Sequence, residues 1–144
     1  MGIIEELMMK EHAVLSSLLN QVEDAIRNYF EKAQPLFNKF KWSLEKHFFV
    51  EEKAIFVLLD KVRGEMQISD IFDLMQEHGV ILEQVKNVEE AFLDGQVPEI
   101  ENLKKAIEKH AEFEDKVFYP KLDENLNPQQ KQEIIDRIKE VIRE

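Results

Sequence analysis

The sequence predicts an all-α fold, an antiparallel up-down-up-down four-helix bundle with a short fifth helix at the C-terminus. Apolar residues recur at steps of three or four along nearly the whole chain, as in helices that bury one face. Glycine and proline are scarce, with four of each, and no alternating runs of β-branched residues indicate strands. The predicted connections are short, so successive helices should pack antiparallel. We expect one domain over residues 1–144, with the bundle at about 3–122.

Two long helices are predicted in the N-terminal half, over about residues 3–31 and 35–63. Pro35 suits the first turn of the second helix, and Gly64 marks its end. Each helix has one predicted inward face. That of the first carries Ile4, Met8, His12, Leu15, Leu19, Val22 and Ile26; that of the second carries Phe37, Phe40, Leu44, His47, Glu51, Ile55, Leu58 and Val62.

The C-terminal half repeats this arrangement, with helices over about residues 70–94 and 98–121. Caps and helix breakers mark their ends: Ser69 and Asp70, then Gly95, Pro98 and Pro120, the last of which bends or closes the helix. The inward faces carry Ile71, Leu74, His78, Ile81, Val85, Val88 and Phe92, followed by Ile100, Leu103, Ile107, His110, Glu114 and Val117.

A fifth, shorter helix is predicted over about residues 128–143. The segment Asn127-Pro128-Gln129-Gln130 is typical of a helix cap. One side of this helix carries Ile134, Ile135, Ile138, Val141 and Ile142.

Charge and cysteine content exclude several classes of function. A formal net charge of −11 repels phosphate backbones and anionic lipids, so neither nucleic acid nor membrane is an expected partner. Because the chain has no cysteine, disulfides, zinc-thiolate sites and iron–sulfur clusters are excluded. The N-terminus lacks the pattern of a signal peptide, and no apolar run approaches the roughly 18 residues of a membrane span. We expect a soluble cytoplasmic protein; the sequence does not indicate its oligomeric state.

An internal repeat relates the two halves. EHAVL at 11–15 matches EHGVI at 77–81, and HFFVEEKAIF at 47–56 matches HAEFEDKVFY at 110–119. The offsets are 66 and 63 residues, so one helical hairpin occurs twice. Each copy supplies a lone histidine from its first helix and an H-x-x-x-E-[ED]-K segment from its second, which predicts two equivalent half-sites.

Six polar residues interrupt the inward faces, where a core should be apolar. In isolation, an inward histidine is usually a hydrogen-bonded core residue. Six such residues, including two glutamates with no lysine or arginine beside them, are harder to explain, because burying uncompensated carboxylates costs several kcal/mol each. Bound cations would supply the missing charge. The candidate metal ligands are His12, His47, Glu51, His78, His110 and Glu114.

The ligand types narrow the choice of metal. Imidazole nitrogens and carboxylate oxygens suit iron, manganese or zinc rather than calcium. If each carboxylate bridges two ions, each ion receives two histidine nitrogens and two carboxylate oxygens. An octahedral ion then keeps up to two positions for other ligands, which is typical of a reactive site.

This ordered set of residues resembles the hemerythrin-like family, also called HHE cation-binding proteins. The family pattern is a histidine, H-x-x-x-E, a second histidine and a second H-x-x-x-E on four successive helices, and the resemblance covers about residues 5–122. It implies a non-haem di-iron centre with both carboxylates as bridges. It also implies binding or sensing of a small ligand such as O2 or NO, or of iron itself. The alternative is a di-iron redox enzyme, a peroxidase, oxidase or NO reductase, in oxidative or nitrosative stress defence.

The chain departs from the oxygen carriers of that family at two points. They have a fifth histidine, but the candidate positions beside His78 are Leu74 and Leu82. Their last carboxylate follows its histidine by five residues, which here is Asp115; Glu114 repeats the spacing of the second helix and is favoured, with Asp115 as the alternative. A missing ligand favours sensing or redox chemistry with O2, NO or peroxide over reversible oxygen carriage.

Two further acids, Glu11 and Glu77, directly precede the lone histidines in both halves. They either support the ligands from behind or line an ion entry route. The commoner interpretation of such an acid is a solvated charge on the flank of a helix.

Overall fold

A computed structural model describes the backbone of residues 2–61 and 68–143, with side chains over 2–59 and 71–141. The helices of this described part are α1 (Ile3–Asn28), α2 (Phe30–Val50, with a π-helical segment Glu51–Phe56 and an α-helical end Val57–Lys61), α3 (Ile68–Leu93), α4 (Glu101–Phe113, with a π-helical segment Glu114–Phe118 and an α-helical end Tyr119–Asn125) and α5 (Pro128–Arg143).

The first four helices form a closed antiparallel bundle, as predicted. Helix α1 packs against α2 and α4, and α3 packs against α2 and α4, so each helix has two neighbours. Helix α5 lies across one end, against α2 and its π-helical segment. No described helix is long and apolar enough to cross a membrane.

Two predicted helix ends are confirmed by hydrogen bonds of their backbone N–H groups. Gly95 has a positive φ of 71°, and the Gln96 N–H donates to the Ala91 carbonyl at 2.8 Å, which is the usual glycine-dependent end of a helix. Asn127 and Gln130 cap α5 reciprocally, since each side chain accepts a hydrogen bond from the other's backbone N–H. Ser69 is not the cap of α3, because the helical backbone already includes Ile68. The predictions for Val62, Gly64 and Ile142 lie outside the described backbone or side chains, as does the side chain of Asp70.

Prolines mark the helix ends less well than the sequence predicts. Pro35 lies inside α2, which begins at Phe30 directly after the α1 cap residue Tyr29. Pro98 lies before the start of α4, whose N-cap residue is Ile100, and Glu99 Oε1 accepts a hydrogen bond from the Asn102 N–H at 3.2 Å.

Helix α4 also continues past Pro120 to Asn125, instead of ending near residue 121. Pro120 follows the π-helical segment and occupies the first turn of a new α-helical stretch, where a missing N–H costs least.

Two apolar clusters fill the bundle, and the predicted polar residues lie between them. One cluster surrounds Phe37, Phe40 and Leu103 at the end of the bundle where α1 meets α2. The other contains Ile4, Tyr119 and the inward residues of α5 at the opposite end. Almost all described residues of the predicted inward faces are buried or half-buried.

Val117 is an exception to those predicted faces, because it is 47% exposed and Phe118 is buried in its place. The wider π-helical turn after Glu114 shifts the next inward position by one residue.

Candidate metal centre

The four histidines and the two H-x-x-x-E glutamates converge halfway along the bundle. Their potential ligand atoms form two groups, within each of which all atoms lie within 4.8 Å of one another. Both groups contain Glu51 and Glu114; His12 and His47 complete one, and His78 and His110 complete the other. We call these six residues the inner cluster. The repeat predicts two equivalent half-sites, and the two groups found here have both carboxylates in common.

Short distances between nitrogens and oxygens define each half-site. His12 Nε2 lies 3.1 Å from Glu114 Oε1 and 3.2 Å from His47 Nε2, and His47 Nε2 lies 2.8 Å from Glu51 Oε1. In the other half-site, His110 Nε2 lies 3.3 Å from Glu114 Oε1, and His78 Nε2 lies 3.7 Å from Glu51 Oε1. All four imidazoles therefore point Nε2 at the shared carboxylates.

Local backbone geometry explains why each histidine meets its glutamate. Residues at i and i+4 share one face of a helix, so His47 with Glu51, and His110 with Glu114, reach inward together. Each glutamate is also the first residue of a π-helical segment. Such segments are frequent at functional sites, and here both copies of the repeat have one.

Each outward-facing Nδ1 atom lies near a second carboxylate. Asp115 Oδ1 lies 2.9 Å from His12 Nδ1, Glu11 Oε1 lies 3.2 Å from His47 Nδ1, and Glu77 Oε1 lies 3.1 Å from His110 Nδ1. At His78, Glu52 Oε1 is 3.9 Å from Nδ1, which is too long for a hydrogen bond. We call Glu11, Glu52, Glu77 and Asp115 the outer acids.

The outer acids answer two questions that the sequence leaves open. Glu114 belongs to the inner cluster, and Asp115 lies behind His12, so Asp115 is not the shared carboxylate in this arrangement. Glu11 and Glu77 are partly exposed, yet each contacts a histidine of its own hairpin instead of being only a solvated charge. Glu52 was not predicted, although its equivalence to Asp115 in the repeat could have identified it.

Burial leaves much of the inner cluster without hydrogen bonds. Glu51 and Glu114 are 0% exposed, and His12, at 9%, is the most exposed of the histidines. Several of these short contacts lack the geometry of a hydrogen bond: within the described part of the chain, neither Glu51 oxygen accepts one, and Glu114 Oε2, both His78 nitrogens and His110 Nε2 make none. Buried polar atoms are rarely left unpaired. The donor set and these unpaired atoms fit a pair of bound cations.

Without metal, protons take over part of that neutralisation. Burial opposes a charge on His47, but Glu51 and Glu11 outweigh it and raise its pKa to about 10. Burial is likewise outweighed at His110, where Glu114 is the main cause of a pKa of about 9. At His78 burial prevails and lowers the pKa to about 4.

The shared carboxylates oppose each other electrostatically. Burial and the charge of Glu114 raise the pKa of Glu51, despite the neighbouring His47. Burial acts in the same direction on Glu114, but its close polar neighbours, Glu51 first and then His110 and His12, hold its pKa below the ordinary value. Two carboxylates that cannot both ionise freely are a further indication that cations belong between them.

A tyrosine that the sequence did not identify as part of the site borders the same carboxylates. Tyr119 is fully buried, its ring lies 5.9 Å from that of His12, and its hydroxyl makes no hydrogen bond within the described residues. Burial and the charges of Glu114 and Glu51 raise its pKa well above the ordinary value. The repeat places Phe56 at the equivalent position beside His78, with the same 5.9 Å between ring centroids.

Comparison with known proteins agrees with this geometry. Curated proteins and solved structures show no significant match to the chain. The sequence profile of the hemerythrin HHE cation-binding domain matches residues 3–122, which spans all six residues of the inner cluster and most of the chain. The buried histidines and glutamates and the profile match together indicate a metal-binding protein, and the chain belongs to the hemerythrin HHE cation-binding family.

Proposed function

We propose that this protein holds two non-haem iron ions in the inner cluster and binds or senses a small ligand there, such as O2 or NO. His12 and His47 would hold one ion, His78 and His110 the other, and Glu51 and Glu114 would bridge both. The observation that carries this proposal is the pair of four-residue groups that share both glutamates.

The carboxylates behind the histidines support the same role. Glu11, Glu77 and Asp115 each accept a hydrogen bond when the facing Nδ1 carries its proton, which leaves Nε2 free as a metal ligand. This contact fixes the ring orientation and makes Nε2 more basic. When bound, iron would supply redox chemistry and open coordination positions.

The number of protein ligands and the residues around the inner cluster favour a site that binds an external ligand over a closed structural metal site. The inner cluster offers four residues to each ion, fewer than an octahedral ion accepts. Both candidate positions for a fifth histidine on α3 are leucines: Leu74 is 0% exposed within an apolar cluster, and Leu82 is 36% exposed. The two apolar clusters on either side of the inner cluster would limit the access of water to the ions and favour small, weakly polar ligands.

Ligand binding can be tested after anaerobic loading with Fe(II). Addition of O2 or NO should change the visible absorption spectrum with saturation at a fixed ratio of ligand to iron pairs. An iron-loaded protein whose spectrum responds to neither gas would contradict the proposal. Multiple turnovers of peroxide or NO with an electron donor would assign the protein to the redox enzymes instead.

A further inference from the structure

The proposed function leaves unused a buried polar group beside the inner cluster, the hydroxyl of Tyr119. The Tyr119 side chain is 0% exposed, and its ring lies 5.9 Å from that of His12. Its hydroxyl makes no hydrogen bond to any described residue. Burial of a polar group in this state costs about 1–3 kcal/mol. A hydroxyl that only filled space here would therefore destabilise the fold.

Acceptors without hydrogen bonds lie beside this donor. Within the described part of the chain, both Glu51 oxygens and Glu114 Oε2 accept none. Besides burial, the charges of Glu114 and Glu51 raise the pKa of the Tyr119 hydroxyl, so the hydroxyl lies close to both shared carboxylates. An unbonded donor and unbonded acceptors are therefore neighbours in one buried space.

The internal repeat separates the role of the ring from that of the hydroxyl. Phe56 occupies the equivalent position in the first hairpin, where it is 3% exposed and its ring lies 5.9 Å from that of His78. Both hairpins thus place an aromatic ring beside the lone histidine, but of these two rings only that of Tyr119 carries a hydroxyl. Since a phenylalanine is enough for packing at this position, the hydroxyl indicates a polar role at the carboxylates.

We propose that the Tyr119 hydroxyl donates a hydrogen bond to a shared carboxylate of the iron-loaded centre and thereby favours Fe(II) over Fe(III). This inference rests on the proposed function, since it adds a residue that tunes the same centre. A carboxylate oxygen that binds an ion keeps a second lone pair, which can accept the hydrogen bond. Tyr119 is therefore a positioning residue, which acts on the ions through Glu51 or Glu114.

The direction of the effect follows from charge. A hydrogen bond withdraws negative charge from the carboxylate that accepts it, and Fe(III) depends on that charge more than Fe(II) does. The Tyr119 hydroxyl should therefore keep the ions in the Fe(II) state, which is the state that binds O2 or NO.

A redox titration of the iron-loaded protein measures this effect. Wild type and Tyr119→Phe, each loaded with two irons, are equilibrated with mediators of known potential, which exchange one electron with each iron. At equal potential, Tyr119→Phe should raise the ratio of Fe(III) to Fe(II) by about tenfold, which equals about 1.4 kcal/mol. Tyr29→Phe is the matched control, because it removes the hydroxyl of a tyrosine that is 56% exposed, and its ratio should equal that of wild type.

Loading with Zn(II) detects the hydrogen bond itself, without any change of oxidation state. Imidazole and carboxylate ligands accept zinc as well as iron. When a tyrosine hydroxyl becomes a donor, the near-ultraviolet absorption of its ring shifts to longer wavelength. The chain has two tyrosines, so the two single variants assign the signal. Zinc should produce this shift in wild type and in Tyr29→Phe, but not in Tyr119→Phe.

The two measurements distinguish the failure of this inference from the failure of the proposed function. An unchanged ratio of Fe(III) to Fe(II) in Tyr119→Phe, or a zinc difference spectrum that this variant shares with wild type, would overturn the role of Tyr119 and leave the metal centre in place. Wild type that binds neither iron nor zinc would refute both.

Discussion

The two hairpins, α1–α2 and α3–α4, contribute the same polar groups but different apolar neighbours. Beyond the inner cluster and the outer acids, even distant ion pairs repeat: Lys41 contacts Glu89, and the equivalent Lys104 lies 3.4 Å from Glu23. Residues that only cover the site differ, as with Phe48 and Ala111. The polar pattern is therefore the same in both hairpins, whereas the apolar residues packed against it differ.

The largest expected effect tests whether the two halves share their carboxylates. Glu51→Gln and Glu114→Gln keep the side-chain volume but remove the negative charge of a carboxylate that belongs to both groups, so each variant should lose affinity for both ions, by more than about a hundredfold. Metal analysis after reconstitution measures this loss.

Glu112→Gln is the control for these two variants, since Glu112 is exposed and pairs with Lys116 on the surface. If each variant lost a different single ion, the carboxylates would not be shared between the half-sites.

Substitution of the lone histidines, His12 and His78, tests whether each half-site binds its ion independently of the other. His12→Ala should weaken the ion held with His47, and His78→Ala the ion held with His110, with the second ion retained in each case. Titration with Fe(II) should then show one strong site per chain. Loss of both ions from either variant would show that the half-sites do not bind independently.

Much of the fold and the polar part of the site could be predicted from the sequence, because they depend on periodicity and on spacing within one helix. H-x-x-x-E and the Asn127 cap are such local features. The stacking of Phe48 on His78 could not be predicted, since it depends on how two different helices pack against each other. The π-helical segments, which displace Val117, also leave no clear signal in the period of apolar residues.

The pH dependence of stability should differ between metal-free and iron-loaded protein. The folded-state pKa values of His47 and His110, about 10 and 9, exceed the ordinary 6.5. Their contribution to metal-free stability is therefore complete below about pH 6.5 and is lost as the pH rises through 9 to 10. Iron needs neutral imidazoles, so the loaded protein should instead lose stability as the pH falls below about 6.5.

Chemical denaturation between pH 5 and 10, with chelator or with Fe(II), measures both profiles. In the His47→Gln/His110→Gln variant, the decline of the metal-free protein at high pH should largely disappear. The same slope in that variant would assign the pH dependence to other groups.

The outer acids should have equal, moderate effects in the two hairpins. Glu11→Gln and Glu77→Gln each remove the carboxylate behind one histidine and should weaken metal binding by about 10–100-fold. The exposed Glu83→Gln on α3 is a control of equal charge change. Affinities within a factor of two of this control would show that these acids are only surface charges.

The smallest effect is expected where the hairpins differ beside the carboxylates. Tyr119→Phe makes position 119 equal to Phe56 and removes a buried hydroxyl that makes no hydrogen bond to any described residue. The free energy of unfolding of the metal-free protein should stay within about 1 kcal/mol of wild type or rise. Denaturant titration measures it, and a loss of more than about 1 kcal/mol would reveal a hydrogen bond to Glu51 or Glu114.

The metal content of the protein tests the central claim most directly. After anaerobic loading with Fe(II) and removal of unbound iron, the wild type should hold two irons per chain, and the Glu51→Gln/Glu114→Gln variant almost none. Wild type without bound iron, or a double variant that still binds two, would contradict the assignment of the inner cluster as a two-ion centre.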